Sequence, residues 1–319
     1  MIDTIVTRVT RKRDEAEGIC SFELESADGS ALPPHEPGAH VDVHLPAGLV
    51  RQYSLCPGPE QQGRYLIAVL REPVSRGGSV AMHALREGDV LRIGLPRNQF
   101  PLRSDAARSL LLAGGIGITP LLAMAEQLAA HDRDFVLHYC ARSAERMAFV
   151  PRLRQGSVGM RAQLHLDDGP AAQKLDLDTA LGAPAAGTHV YVCGPGGFMD
   201  WALAGARRLG WSEAQLHKEY FAAPALPAGS DRAFEVRLVR SGAIVPVPAG
   251  KSVVQALAEH GVEVPVSCEQ GVCGTCLTRV IDGTPDHRDV FLTDAEKAAN
   301  DCFTPCCSRA LGDRLVLDL

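Results

Sequence analysis

Six of the ten cysteines fall between residues 268 and 307, with a specific spacing: Cys268-x4-Cys273-x2-Cys276, then twenty-nine residues to Cys306. Four thiolates at that spacing are the ligand set of a plant-type [2Fe-2S] cluster. The intervening EQGV and GT are small or flexible enough to let backbone N–H groups turn toward the cluster sulfurs. Gly271 and Gly274 are expected to supply that freedom. Zinc is the competing reading, because two cysteines separated by two residues also suit zinc. Zinc loops pair two such motifs, whereas the second half here is Cys306 with Cys307 beside it. Spacing selects Cys306 as the fourth ligand; Cys307 needs one extra residue, and Cys302 is a spare.

Two glycine turns form a second constellation. AGGIGITP (113–120) follows an apolar run and opens a helical pattern, so its N–H groups and the helix dipole suit a pyrophosphate. Pro120 stands where the dinucleotide fingerprint has its third glycine, so this is a variant of that signature. VCGPGG (192–197) ends a later strand of the same expected sheet and faces the same crevice at the strands' carboxyl ends. Cys193 lies at that edge, where its thiol could touch a nicotinamide ring or serve as a small buried hydrophobe. Further upstream, RQYSL (51–55) puts Arg51, Tyr53 and Leu55 on one face of an extended strand and Ser54 on the other. RGGS (76–79) sets a cation and two glycines before a helical stretch, a second phosphate cradle.

Those residues need scaffolds, and the chain is long enough for two or three domains: 319 residues, 46% hydrophobic and 22% charged. Short apolar runs between Gly, Pro and charged turns, as in HVDVHLP, RYLIAVLRE and DVLRIGLP, predict an antiparallel β-barrel over residues 1–102. From Ser109 the pattern changes to alternating strand and helix (SLLLAGG, TPLLAMAEQLAAH, DFVLHYCA, THVYVCG), which predicts an α/β domain with a parallel sheet over residues 103–224. AAPALPAGSDR (222–232) reads as a linker. Beyond it FEVRLV, AIVPVP, the amphipathic SVVQALAEHG, the cysteine loop and RLVLDL predict an α+β ferredoxin domain over residues 233–319.

The formal net charge of -6, with no dense run of Lys and Arg, argues against a nucleic-acid partner. No segment is long and apolar enough to span a bilayer, so no membrane is expected as a partner. MIDTIVTRVTRKRDEAEG lacks the apolar centre of a secretory signal, so a cytoplasmic location is expected, where cysteines serve as ligands or buried hydrophobes rather than disulfides.

Taken together, these motifs resemble the phthalate dioxygenase reductase family over nearly the whole length. The family's Arg-x-Tyr-Ser motif matches Arg51, Tyr53 and Ser54. The resemblance implies that Arg51 reaches the phosphate of FMN, Tyr53 packs on the flavin and Ser54 lies near its reactive nitrogen. It further implies backbone contacts to the flavin from Ala68, Val69 and Leu70, and phosphate contacts from Gly77, Gly78 and Ser79. Leu70 replaces the lysine often found there, so no role for that charge carries over. Gly115, Gly117 and Thr119 would lie near pyrophosphate or flavin, Cys193 and Gly194 at the nicotinamide, and Phe221, rather than Tyr220, over the flavin. Cys-x-Ser-Arg-Ala in the family matches CCSRA and makes Cys306 the ligand and Cys307 a bystander.

The implied activity is reduction of a flavin by NADH followed by transfer of single electrons through the cluster to a Rieske-type oxygenase. Catalytic roles fall on Ser54 and Cys193. The resemblance implies FMN rather than FAD, because the family's short form uses FMN and no obvious extra segment is seen to grip an adenine. A diiron monooxygenase is the alternative acceptor, and a redox sensor without turnover is the alternative class. NADH is expected over NADPH, with Arg142 and Arg146 as the cations that could favour a 2'-phosphate.

Overall fold

The computed structural model of the chain describes residues 4–56, 63–154, 156–221 and 231–319. The linker expected over residues 222–232 lies outside the described residues except for Asp231 and Arg232. The chain divides into two compact units, residues 1–219 and 220–319. Among the described residues no helix is long and apolar enough to cross a membrane, and all ten cysteines are free thiols.

The first unit opens with β1 (Thr4–Ala16), β2 (Ile19–Ser26), β3 (Ala39–His44), β4 (Val50–Ser54), β5 (Tyr65–Leu70), the helix α1 (Gly78–Ala84), β6 (Val90–Gly94) and β7 (Arg97–Asn98). These strands pair in the order β4-β3-β6-β1-β2-β5, with β7 on β3, and every pairing is antiparallel. The two ends of that path meet at one antiparallel bridge, Leu55 with Ile67. The expected barrel is thus a seven-stranded antiparallel sheet whose ends touch at a point rather than along a full ladder. Alternation drives it: Val41, Val43, Leu55, Ile67, Ile93 and Phe22 point inward and are buried.

A parallel sheet follows, built from β8 (Arg108–Gly114), α2 (Ile118–Ala130), β9 (Asp134–Ala141), α3 (Val150–Arg154), α4 (Gly156–Gly159), β10 (Ala162–Leu166), α5 (Leu177–Leu181), β11 (Thr188–Cys193), α6 (Gly196–Arg208) and β12 (Leu216–Glu219). Its order is β10-β9-β8-β11-β12, all parallel. Central β8 is buried from Ser109 to Gly114, which explains its unbroken apolar run. The edge strands β10 and β12 are only partly buried and carry polar residues, so they lack the pattern that marks the central strands. The two sheets share a core: Ile19, Cys56, Leu66, Ala68 and Phe100 from the first hundred residues are buried in one cluster with Leu111, Ala113, Leu121, Tyr139 and Tyr191 of the parallel-sheet region.

The second unit contains β13 (Phe234–Leu238), β14 (Ile244–Val247), α7 (Val253–Glu259), β15 (Thr278–Asp282), β16 (Pro285–Asp286), α8 (Asp294–Ala299), β17 (Cys302–Phe303), β18 (Arg309–Ala310) and β19 (Arg314–Leu317). A mixed sheet, β14-β13-β19-β15-β17, packs Val236, Leu238, Val245, Phe303 and Leu315 against Val253, Ala256 and Leu257 of α7. The helix starts at a capping box in which Ser252 accepts from Gln255 N and the Gln255 side chain answers the Ser252 backbone.

Candidate functional site

The first cluster of interest forms where β4 meets the start of α1. Gly77 caps that helix at φ +91, a conformation that favours glycine. The Arg51 side chain lies flat on Gly78, so close that a Cβ there would come within 2.5 Å of Arg51 Cγ. Its guanidinium donates to Val50 O at 2.7 Å and Arg76 O at 3.2 Å. Ser79 Oγ donates to Ser75 Oγ at 2.9 Å and accepts from Glu72 N at 3.1 Å. Arg51, Gly77, Gly78 and Ser79 therefore sit together, as a cradle with a cation, N–H groups and a hydroxyl, a donor set that fits a phosphate. Tyr53 packs against the adjoining core, and burial pushes its phenol well above the usual range. Ala68 and Val69 on β5 are buried.

The second cluster joins β4 to the carboxyl end of the parallel sheet. Cys193 pairs in register with Ala113 of β8 and Glu219 of β12. The Ser54 hydroxyl hydrogen-bonds to the Glu219 carboxyl. Part of Glu219 reaches solvent, yet Oε2 is buried with no hydrogen-bond partner among the described residues. Burial raises this carboxyl from 4.5 to about 8, the Ser54 hydrogen bond opposing, so Glu219 is largely protonated at neutral pH. The Cys193 thiol is fully buried and pushed up, first by burial and then by the Glu219 charge, so it stays neutral.

The glycine turn closes over this edge. A Cβ on Gly117 would come within 2.2 Å of Cys193 O, so only glycine permits the approach of turn to strand end. Gly115 and Thr119 share that turn, with Thr119 Oγ1 donating to Ile116 O at 3.1 Å. Phe198, in the first turn of α6, packs on Gly114 and Gly194. Glu219 and Phe198 escape the sequence reading, although a carboxylate at a strand end before an aromatic pair was a usable signal for the first. Phe221 is the second residue of the second unit and is 37% exposed. Of the two cations considered for a 2'-phosphate, Arg142 is exposed and Arg146 pairs with Glu17 at 3.0 Å.

The cysteine loop is the third cluster. Cys306 contacts both Cys268 and Cys276, and Cys268 contacts Cys273, so the four thiols converge. Gln270 N donates to Cys268 Sγ at 3.3 Å and Thr275 N to Cys273 Sγ at 3.4 Å. Hydrogen bonds, first from Cys273 and then from Cys306, lower the Cys268 thiol, and the same contact with Cys268 raises Cys273 and Cys306, so these thiols share protons as one group. Gly271 and Gly274 have φ of +70 and +68, the freedom expected of them. Cys307 touches Cys306 and also Gly271, Thr304 and Ser308, and Cys302 lies on β17. Asp289, unnoticed in the sequence, ties the loop together: it accepts from Leu292 N at 2.8 Å and from Ser308 Oγ at 3.4 Å. Four converging thiols with N–H groups aimed at sulfur fit a [2Fe-2S] cluster.

Comparison with known proteins agrees with this geometry. Residues 236–311 match the 2Fe-2S iron-sulfur cluster binding domain family, and residues 94–216 match the N-terminal domain family of dimethylamine monooxygenase subunit DmmA-like proteins. The chain is 56% identical over 320 residues to the vanillate O-demethylase oxidoreductase of Pseudomonas sp. (strain HR199 / DSM 7063), covering 100% of both. It is 40% identical over 314 residues to the phthalate dioxygenase reductase of Burkholderia cepacia, covering 98% of this chain and 96% of that one. A solved phthalate dioxygenase reductase, described as a modular structure for electron transfer from pyridine nucleotides to [2Fe-2S], superposes with a TM-score of 0.80 at 39% identity, over 99% of this chain and 98% of that one. With its cysteine loop in a matched cluster-binding domain and whole-length identity to these reductases, the chain belongs to the phthalate dioxygenase reductase family and is an oxidoreductase.

Proposed function

We propose that the chain takes a hydride from NADH onto FMN and passes single electrons through a [2Fe-2S] cluster to a Rieske-type oxygenase component. The observation that carries this reading is the meeting of Ser54, Cys193 and Glu219 at the carboxyl edge of the parallel sheet. Residues 1–102 are assigned to the flavin, 103–224 to the nucleotide and 233–319 to the cluster. When bound, FMN supplies the change from two-electron to one-electron chemistry and the cluster carries one electron at a time.

The chain's own residues bind, orient and shield. Arg51, Gly77, Gly78 and Ser79 would hold the FMN phosphate, with Tyr53 against the ring and the backbone of Ala68 and Val69 at its edge. Gly115, Gly117 and Thr119 would line the pyrophosphate path, and Cys193 and Gly194 the nicotinamide pocket. Ser54 and Glu219 hold a proton in the crevice, and the neutral Glu219 leaves no unpaired negative charge beside an incoming dinucleotide. Cys268, Cys273, Cys276 and Cys306 are the proposed cluster ligands. Cysteines used as ligands and buried side chains, none of them paired in a disulfide among the described residues, support a reducing, cytoplasmic setting.

The test is to isolate the protein, measure flavin and metal content, and mix the NADH-reduced form with a Rieske oxygenase under anaerobic conditions. FMN with two irons per chain, followed by bleaching of the oxidised Rieske spectrum, is the expected result. Bound zinc, bound FAD, or an oxygenase spectrum that does not change would each sink the corresponding part.

A further inference from the structure

The cradle at the start of α1 and the strand β5 are held together at the other end of the helix by one imidazole. His83, in the last turn of α1, places Nε2 2.9 Å from Val69 O and Nδ1 3.5 Å from Cys20 Sγ. Val69 and Cys20 are cross-strand partners in the β2–β5 ladder, so one side chain grips both members of a pair. A carbonyl only accepts, so Nε2 carries a ring proton and donates it to Val69 O. The Cys20 thiol, pushed up to about 11 by burial and by Asp14, keeps its proton and donates it to Asp14 Oδ1 at 3.1 Å, with the imidazole against its sulfur. Lys12 Nζ donates to His83 O at 2.6 Å and to Leu85 O at 3.0 Å, closing the same end of the helix.

A seven-residue helix has little stability of its own and takes its position from tertiary contacts. Met82, with Ala81 and Leu85 beside it, packs α1 on the core, and Ser79 Oγ accepts from Glu72 N at the start of the helix; apolar packing supplies no directional bond between the far end of α1 and β5. The His83–Val69 hydrogen bond is directional, and it links the helix to the strand proposed to touch the flavin ring.

We propose that His83 is a positioning residue that sets the distance between the phosphate cradle and the ring-facing strand, so that one FMN molecule engages both at once. This rests on the flavin reading given above. Ring and phosphate then act as two linked ligands, and the link is productive only where the geometry of the two subsites matches. Loosening it lowers the advantage conferred by the phosphate and leaves binding of the ring alone unchanged.

The experiment strips the flavin from the full-length protein and measures rebinding of FMN and of riboflavin, which lacks the phosphate, by fluorescence quenching. His83→Phe keeps the ring shape and removes the donor; it should weaken FMN about three- to tenfold, the range of one net hydrogen bond, and leave riboflavin within about twofold. His83→Gln places an amide N–H near the lost Nε2–H and should restore the preference for FMN. His83→Asn, which stops short of Val69, gives the same comparison as Phe should the latter fail to fold. Equal weakening of FMN and riboflavin in Phe and Asn, or no recovery in Gln, overturns the positioning role. A parent protein that binds neither flavin overturns the flavin reading itself.

Discussion

The crevice in the first unit and the cysteine loop in the second are built in opposite ways. Ser54, Cys193 and Glu219 come from three strands that span more than half of the first unit, and only the completed sheets bring them together. Cys268, Cys273 and Cys276 lie within nine consecutive residues, and one later segment supplies Cys306. A local loop announces itself by spacing, whereas an assembled crevice is announced only by its glycine turns. The loop should therefore fail residue by residue, and the crevice by degrees.

The largest effect should come from the loop. Cys273→Ser is expected to abolish the iron-sulfur absorption and NADH-driven cytochrome c reduction while sparing NADH–ferricyanide activity, which needs only the flavin. Simultaneous loss of both activities would remove the separation between the two regions. Next in size is Arg51→Ala, for which a tenfold to hundredfold loss of FMN affinity is expected, roughly the worth of a hydrogen bond to a charged group. An unchanged affinity in equilibrium titration would relocate the phosphate.

The crevice also predicts a pH signature. Glu219 has its carboxyl raised to about 8 in the fold against the usual 4.5, so its favourable contribution is complete below pH 4.5 and is lost as pH rises through 8. Glu219→Gln removes the titration, and the flavin-free variant should melt at least about 2–4 °C above its parent at pH 9, for roughly 1 kcal/mol or more, with the gap narrowing as pH falls from 8 toward 4.5. Parallel melting curves from pH 5 to 9 would show that the carboxyl is not held protonated. The smallest effect is expected at Cys307, which touches Cys306 alone of the four proposed ligands and otherwise meets Gly271, Thr304 and Ser308. Cys307→Val should keep the visible cluster spectrum and Cys306→Ser should lose it; the reverse outcome shifts the ligand by one residue.

Legibility in the sequence follows the same division. The cysteine triplet, AGGIGITP, VCGPGG and RGGS could be placed because glycine and cysteine at fixed intervals have few other uses, and the structure puts those glycines at a helix cap and at a backbone approach within van der Waals distance. The central strands β8, β9 and β11 could be read because burial on both faces demands continuous apolar runs. The edge strands β10 and β12 could not, since half-exposed strands carry His, Gln and Lys. Glu219 went unread because a buried carboxyl looks like any surface glutamate until its surroundings exist. Asp289 and His83 are of the same kind: their partners, Ser308 and Val69, are remote in sequence.

The core shared by the two sheets of the first unit bears on how such a protein can be taken apart. Ile19, Leu66 and Phe100 are buried in the same cluster as Leu111, Leu121 and Tyr191, so a cut near residue 102 would strip apolar cover from both sides. Each half expressed alone should aggregate, and residues 1–219 should instead unfold in one cooperative transition. The smallest piece that keeps its core covered is then the pair of sheets, residues 1–219 taken as one block.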